Sequence, residues 1–190
     1  MEKINFEQEF SSQDLKNIDL ANYEFDRCTF HNCDFSGSSL RMTEFIDCLF
    51  DNCNFSSVKF NNTSLKSIDF VDCKLIGVDF SNANDFLFAV NFKSCNLDFS
   101  NFYKTNLKKS QLIICSLKEV DFSECNLSEA ILSNCDLSQS IFDRTNLAKA
   151  DLSTSHKYQI DPTNNIIKKA KFSYPGLLGL ISKFDIVVKS

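Results

Sequence analysis

Leu or Phe recurs at every fifth position from Leu15 to Phe80, without a missing member. The series then slips by two residues, restarts at Phe92 and runs unbroken to Leu152. Two residues before most of these centres stands a smaller side chain, such as Cys33, Ser38, Thr43, Val58 or Ala130. The residue just before the centre is often Asp or Asn, as at Asp34, Asn54, Asn96, Asp121 and Asn146. The other two positions are mostly polar. A helix needs an apolar spacing near 3.6 and a strand needs 2, and five satisfies neither over such a length. It suits a chain that turns a corner every five residues, with the centre and the small residue facing inward. Asp and Asn fit corners because their short side chains bond back to local backbone.

Motifs such as Cys33-Asp34-Phe35-Ser36-Gly37, Cys125-Asn126-Leu127-Ser128-Glu129 and Ala150-Asp151-Leu152-Ser153-Thr154 resemble those of the pentapeptide-repeat proteins. The resemblance implies an all-β fold, a right-handed quadrilateral β-helix with twenty residues per coil. Residues twenty apart then stack at the strand spacing of about 4.8 Å. Phe10, Phe30, Phe50 and Phe70 become one ladder, and Phe102, Phe122 and Phe142 another. If the two surplus residues at the slip merely bulge outward, Phe60 and Phe80 join the second ladder.

The chain divides accordingly. Residues 1–14 read as a lead-in strand or half-coil that caps the bottom, with Ile4 and Phe6 alternating with polar residues. Residues 15–80 and 92–155 are the two repeat blocks. Between them, 81–91 is a short loop whose Phe86-Leu87-Phe88 run is expected to pack across the joint. Residues 156–190 leave the repeat. There Ser173 can cap a helix whose Leu177, Leu178, Leu180, Ile181 and Phe184 form an apolar stripe, and Ile186-Val187-Val188 reads as a strand. Such a helix needs something to cover, either the last coil or a second copy of the chain.

All nine cysteines occupy the small inward position, with Cys33, Cys53 and Cys73 in one column and Cys95, Cys115 and Cys135 in another. This placement predicts free buried thiols acting as small hydrophobes. Three in a column cannot pair off as disulfides, an odd total leaves one over, and no polar shell suggests a thiolate metal site. Free thiols, with no signal-peptide pattern and no apolar run of membrane length, point to the cytoplasm.

Charge is uneven. Residues 1–80 carry fourteen acids and seven bases, 81–155 nine and seven, and 156–190 two and six, within a net charge of −5. The first block is therefore an acidic rod, unsuited to direct contact with nucleic acid, whose phosphates need Lys and Arg. Its outward acids include Glu24, Asp26, Asp34, Glu44, Asp47 and Asp51. His31 stands outward beside inward Cys33 with no acid/base partner evident, and His156 lies in the connector. Neither a phosphate loop nor metal-ligand spacing is present. The expectation is no enzyme, no cofactor, no metal, no membrane contact and no small-molecule substrate.

The tail adds a narrower resemblance. Tyr158-Gln159-Ile160-Asp161-Pro162, Lys171-Phe172-Ser173, the Leu-rich helix and Ile186-Val187-Val188 are similar to the C-terminal module of the quinolone-resistance (Qnr-type) and microcin B17 immunity families. That resemblance implies a homodimer joined through the tail, by Leu177, Leu178, Leu180, Ile181, Phe184, Ile186 and Val188. It also implies a DNA-mimicking rod that binds type II topoisomerase, gyrase or topoisomerase IV, and protects it from quinolones or a toxin. The acids named above would stand in for phosphates. The alternative reading is a structural scaffold with another protein partner. The modest acidity and the lack of an insertion longer than 81–91 favour it.

Overall fold

A computed structural model describes residues 3–184 and 186–188. Four inward centres per coil create four walls, and each wall repeats its residues one coil higher. The first wall carries a four-stranded parallel sheet of β1 (Ile4–Phe6), β3 (Glu24–Asp26), β5 (Glu44–Ile46) and β7 (Ser64–Lys66). The second carries seven parallel strands: β2 (Glu9–Ser11), β4 (Thr29–His31), β6 (Leu49–Asp51), β8 (Ile68–Val71), β9 (Val90–Lys93), β10 (Gln111–Ile113) and β11 (Ile131–Ser133). The third and fourth walls are built from single bridges, such as Asp14↔Asp34↔Asn54 and Asp19↔Ser39↔Lys59. The register is twenty residues, as in Phe30↔Phe50, and becomes twenty-two once, at Phe70↔Phe92.

That single step absorbs the frame slip. The rings of Phe60, Phe80, Phe102, Phe122 and Phe142 stack at 5.3, 4.6, 5.6 and 5.3 Å, so the ladder is continuous across it. Phe10, Phe30, Phe50, Phe70 and Phe92 do the same at 4.8, 4.8, 5.2 and 5.2 Å. Within a coil, neighbouring centres meet edge-on, as Phe50 meets Phe55 at 5.0 Å and 90°. Rings stacked along the rod and crossed around it fill the section. Each such burial stabilises by roughly 1.5–3 kcal/mol.

The corner has two parts. Outside the strands, an Asp or Asn before the centre accepts through Oδ1 the backbone N–H two residues on, as Asp34 does from Ser36 (2.9 Å) and Asn101 from Tyr103 (2.9 Å). Strand positions mostly carry other residues there, including Glu24, Thr29, Glu44, Leu49, Gln111 and Ile131. This explains why the four-stranded sheet stops at β7. The next residue in its column, Asn84, accepts from Phe86 N–H (3.0 Å), and Asn106, Asn126 and Asn146 continue that column. The sharp bend itself falls two residues after the centre, in the left-handed region. Arg27 (φ 53°), Met42 (φ 59°), Phe99 (φ 64°) and Ile114 (φ 57°) all occupy it. Such a conformation is unfavourable for a β-branched side chain, and the coils above and below hold it in place.

The small inward residues do more than fill space. Cys53 donates to Phe30 O (3.4 Å), Cys73 to Phe50 O (3.3 Å), Thr63 to Leu40 O (2.6 Å) and Thr145 to Phe122 O (2.8 Å). Each ties its coil to the centre's carbonyl one coil below.

The ends differ from the sequence expectation. At the bottom, Asn5 rather than Ile4 or Phe6 points inward, directly beneath Phe25. Its amide donates to Glu24 O (3.4 Å), so the core ends on a polar group. Of Phe86-Leu87-Phe88, only Phe88 is buried. Leu87 takes a left-handed φ of 59°, which turns it and Phe86 into solvent. At the top, α1 (Leu177–Ile181) continues into a 3-10 turn, Ser182–Phe184. Leu180 packs inward while the Gly179 carbonyl accepts from Ile160 N–H (3.1 Å). A Cβ on Gly179 would lie 2.1 Å from Tyr158 O, so only glycine lets the helix approach. Ser173 Oγ accepts from Gly176 N–H (3.1 Å), just ahead of the helix. Ile186–Val188, expected as a strand, has no strand pairing and is exposed.

Candidate partner-binding surface

No group of three or more His, Cys, Asp or Glu side chains among the described residues could hold a metal ion. Hollows on the walls are shallow. One lies on the second wall, between Leu49, Val71, Lys93 and Ile113. The candidate surface is therefore the outer wall itself.

The six predicted acids spread over neighbouring walls. Glu24 and Glu44 stack on the first wall, with Asp26 on the same strand as Glu24. Asp47 sits at the left-handed corner between the first and second walls (φ 50°). Asp51 lies on the second wall, and Asp34 on the third. Asp26 pairs with Arg27 (3.2 Å), Asp34 with Lys16 (3.2 Å), Glu44 with Lys66 and Asp51 with His31 Nδ1 (3.0 Å). Glu24 and Asp47 form no ion pair among the described residues. The His31–Asp51 contact has no counterpart in the sequence reading, which found His31 partnerless. The signal was present in their spacing of twenty. The Cys33 thiol turns away from the imidazole and donates to Phe10 O (3.4 Å).

Several corner carboxylates are strongly held in the charged form. At Asp34 and Asp136, burial works against the charge. Hydrogen bonds from Ser36 and Ser138, with Lys16 and Lys157, outweigh it and bring both groups to about 2. At Asp151 the Ser153 hydroxyl and Lys171 lead to the same value. These groups titrate lower in the fold than the roughly 3.9 of an unfolded Asp. Their contribution is therefore present above pH ~4 and is lost as pH falls toward 2. The expected result is a melting temperature nearly flat from pH 5 to 7 that drops between pH 4 and 2. Asp151→Asn should shrink that drop. An identical acid limb in the variant would show that Asp151 is not one of the groups responsible.

The tail residues named for self-association divide in two. Leu180 packs against its own chain and Ile181 is half-buried. Leu177, Leu178, Phe184, Ile186 and Val188 are exposed. No helix among the described residues is long and apolar enough to cross a membrane.

Comparison with known proteins gives a consistent picture. A family described as "pentapeptide repeat region" matches residues 23–84 and 86–173. No curated protein matches the sequence. Among solved structures, a trypsin-treated variant of QnrB1, a plasmid-mediated fluoroquinolone resistance protein, is similar with a TM-score of 0.65 at 22% identity. That match covers 98% of this chain and 100% of that one. A second QnrB1 variant gives a TM-score of 0.51 at 26% identity over 98% and 90% of the two chains. HetL, from the cyanobacterium Nostoc sp. strain PCC 7120 and involved in heterocyst differentiation regulation, gives 0.59 at 17% identity over 88% and 86%. The chain belongs to the pentapeptide-repeat family.

Proposed function

We propose that the protein is a non-catalytic rod that binds a type II topoisomerase and protects it from a quinolone or a gyrase toxin. The observation that carries this reading is the likeness to QnrB1 over nearly the whole of both chains, at up to 26% identity. The acids of the first two walls supply the electrostatics, since an enzyme's basic DNA-binding surface would be attracted to them. Glu24 and Asp47, which form no ion pair among the described residues, contribute most. In this reading the exposed Leu177, Leu178, Phe184, Ile186 and Val188 bury themselves against a second copy. Leu178→Asp with Ile181→Asp then yields monomers by light scattering in 1 M salt, where charge-mediated contacts are screened.

The test is a supercoiling assay with purified gyrase and topoisomerase IV, with and without a fluoroquinolone. Protection predicts restored supercoiling in the presence of drug. Glu24→Lys, Glu44→Lys and Asp47→Lys together should abolish the rescue. Undiminished rescue by the triple variant would remove the acidic walls from the mechanism. No effect of the native protein on either enzyme would remove the topoisomerase.

A second reading, a scaffold for a different protein, is favoured by the ion pairing of Asp26, Asp34, Glu44 and Asp51 within the chain. A scaffold contact made by apolar outward residues should survive 0.5 M salt, whereas a DNA mimic should lose affinity steeply.

A further inference from the structure

The first wall changes sign along the rod. Below the frame slip its outward face and corner carry Glu7, Glu24, Asp26, Glu44 and Asp47, against Arg27 and Lys66. Above the slip they carry Lys108, Lys109, Lys149, Lys168 and Lys169, against Glu129. Lys109, Lys149, Lys168 and Lys169 form no ion pair among the described residues. At the boundary stand Phe86 and Leu87, each 64% exposed. Four levels lie below them on this wall, at Asn5, Phe25, Phe45 and Leu65, and four above, at Leu107, Leu127, Leu147 and Ile167. The wall also begins and ends on exposed apolar residues, Ile4 (66%) and Ile166 (56%).

We infer that this wall is a self-association surface. Two copies pack side by side and antiparallel, about a two-fold axis through Phe86 and Leu87. The axis inverts level order and keeps the columns in line. Phe86 then meets Phe86, and Leu87 meets Leu87. Ile4 of one copy faces Ile166 of the other. Glu7 faces Lys169, and Asp26 lies beside Lys149. Glu24 and Glu44 fall opposite Asn146 and Asn126, whose amides can donate to them. Three like-charged pairs also face each other, Arg27 with Lys149, Asp47 with Glu129 and Lys66 with Lys108, and each has a member held within its own chain: Arg27 by Glu7 (2.9 Å) and Asp26 (3.2 Å), Glu129 by Lys108 (3.9 Å) and Lys66 by Glu44. A parallel arrangement would set acids on acids and lysines on lysines, which is why the second copy must be inverted. Isologous pairing of this kind closes on itself.

The contact differs from one through the tail and does not rest on the topoisomerase reading; it covers the same first-wall acids, Glu24, Glu44 and Asp47, so self-association and topoisomerase binding through that wall would exclude each other. Levels are about 4.8 Å apart, so a head-to-head dimer through the C-terminal helices would hold the two Phe86 side chains roughly 40 Å apart or more. The side-by-side pair brings them together.

The decisive experiment uses Asp85→Cys, an exposed position beside the axis, with a short bismaleimide; the nine native thiols are buried and serve as the silent background. Self-crosslinking of the full chain at tens of micromolar is expected, and it should fall several-fold in 1 M salt. Two further variants carry Asp85→Cys: one with Glu7, Glu24 and Asp26 changed to Lys, the other with Lys149, Lys168 and Lys169 changed to Glu. Each alone should crosslink at least about ten-fold less, and an equimolar mixture should recover the native yield, because the reversed faces complement each other. Circular dichroism confirms that all are folded. Absence of crosslinking in the Asp85→Cys protein, or a mixture no better than its components, overturns the inference.

Discussion

Phe50→Ala is expected to cost about 3–5 kcal/mol, toward the upper end of the range for buried aromatic truncations. Phe50 is 1% exposed and touches five other rings. Phe30 and Phe70 stack on it at 4.8 and 5.2 Å, and Phe35, Phe45 and Phe55 meet it edge-on at 5.8, 5.3 and 5.0 Å. The cost of a cavity depends on how far the surroundings collapse into it, and here they can hardly move. The ring above and the ring below are fixed at the strand spacing by backbone ladders, including Phe50↔Phe70. Phe142→Ala is the comparison. Phe142 lies near the top, is 7% exposed and stacks on Phe122 alone, so its truncation should sit at or below the lower end. Chemical denaturation followed by circular dichroism measures both. A loss under about 1 kcal/mol for Phe50→Ala would contradict its place in the core.

The same regularity explains how much of the fold was legible. A period of five with Leu or Phe at every centre is a long-range signal, because each side chain must fill the same slice as its neighbour one coil away. The ladders through Phe50 and Phe122 could therefore be read without knowing how the chain bends. The bends were harder. Asp and Asn before the centre do bond back to backbone, as expected, yet the left-handed residue falls two positions after the centre. There Arg27, Met42 and Ile114 betray no preference. Which repeats lack that Asp or Asn separates strand from turn on the first wall, where Glu24 and Glu44 mark sheet and Asn106, Asn126 and Asn146 mark turns, but Asp69 and Asn91 lie within β8 and β9.

The candidate surface was less legible for a reason of reach. Outward partners sit on adjacent coils, and long side chains lean into neighbouring columns. His31 and Asp51 are twenty apart, Lys16 and Asp34 eighteen, and Glu44 and Lys66 twenty-two. A count of acids and bases along the chain therefore described an acidic rod, whereas the folded molecule neutralises much of that charge across coils. It also gathers Lys109, Lys149, Lys168 and Lys169 on one wall. Ile186-Val187-Val188 had the composition of a strand but pairs with no strand and is exposed, which shows that β propensity without a packing surface does not make a strand.

The cysteines carry the other large expected effect. The twenty-two-residue step brings Cys95 above Cys73, so the two columns read from the sequence join into one, Cys33-Cys53-Cys73-Cys95-Cys115-Cys135. The Cys53 amide even donates to the Cys73 sulfur (3.4 Å). None of the six is more than 3% exposed. A thiolate in this slot would lose water without gaining a metal, and burial therefore raises the cost of the first ionisation in the column. Outside the column, burial pushes Cys48 and Cys125 up to about 12. Thiolate is the reactive form, and access requires the coils to part. Reaction with a disulfide reagent at pH 8 should therefore be slower than for a free thiol by about the unfolding equilibrium constant, on the order of 10³-fold or more. All nine should then react together as denaturant crosses the midpoint. Mass spectrometry of the partly labelled protein distinguishes the outcomes. Populations with none or all nine thiols modified mean the rod opens as a unit. A ladder of intermediate masses at Cys28 and Cys33 means that the bottom coils, which end on Asn5 instead of an aromatic ring, open before the rest. Rapid labelling of Cys95 or Cys115 in the native protein would contradict the column itself, because both lie in the middle of the rod, where no end can fray.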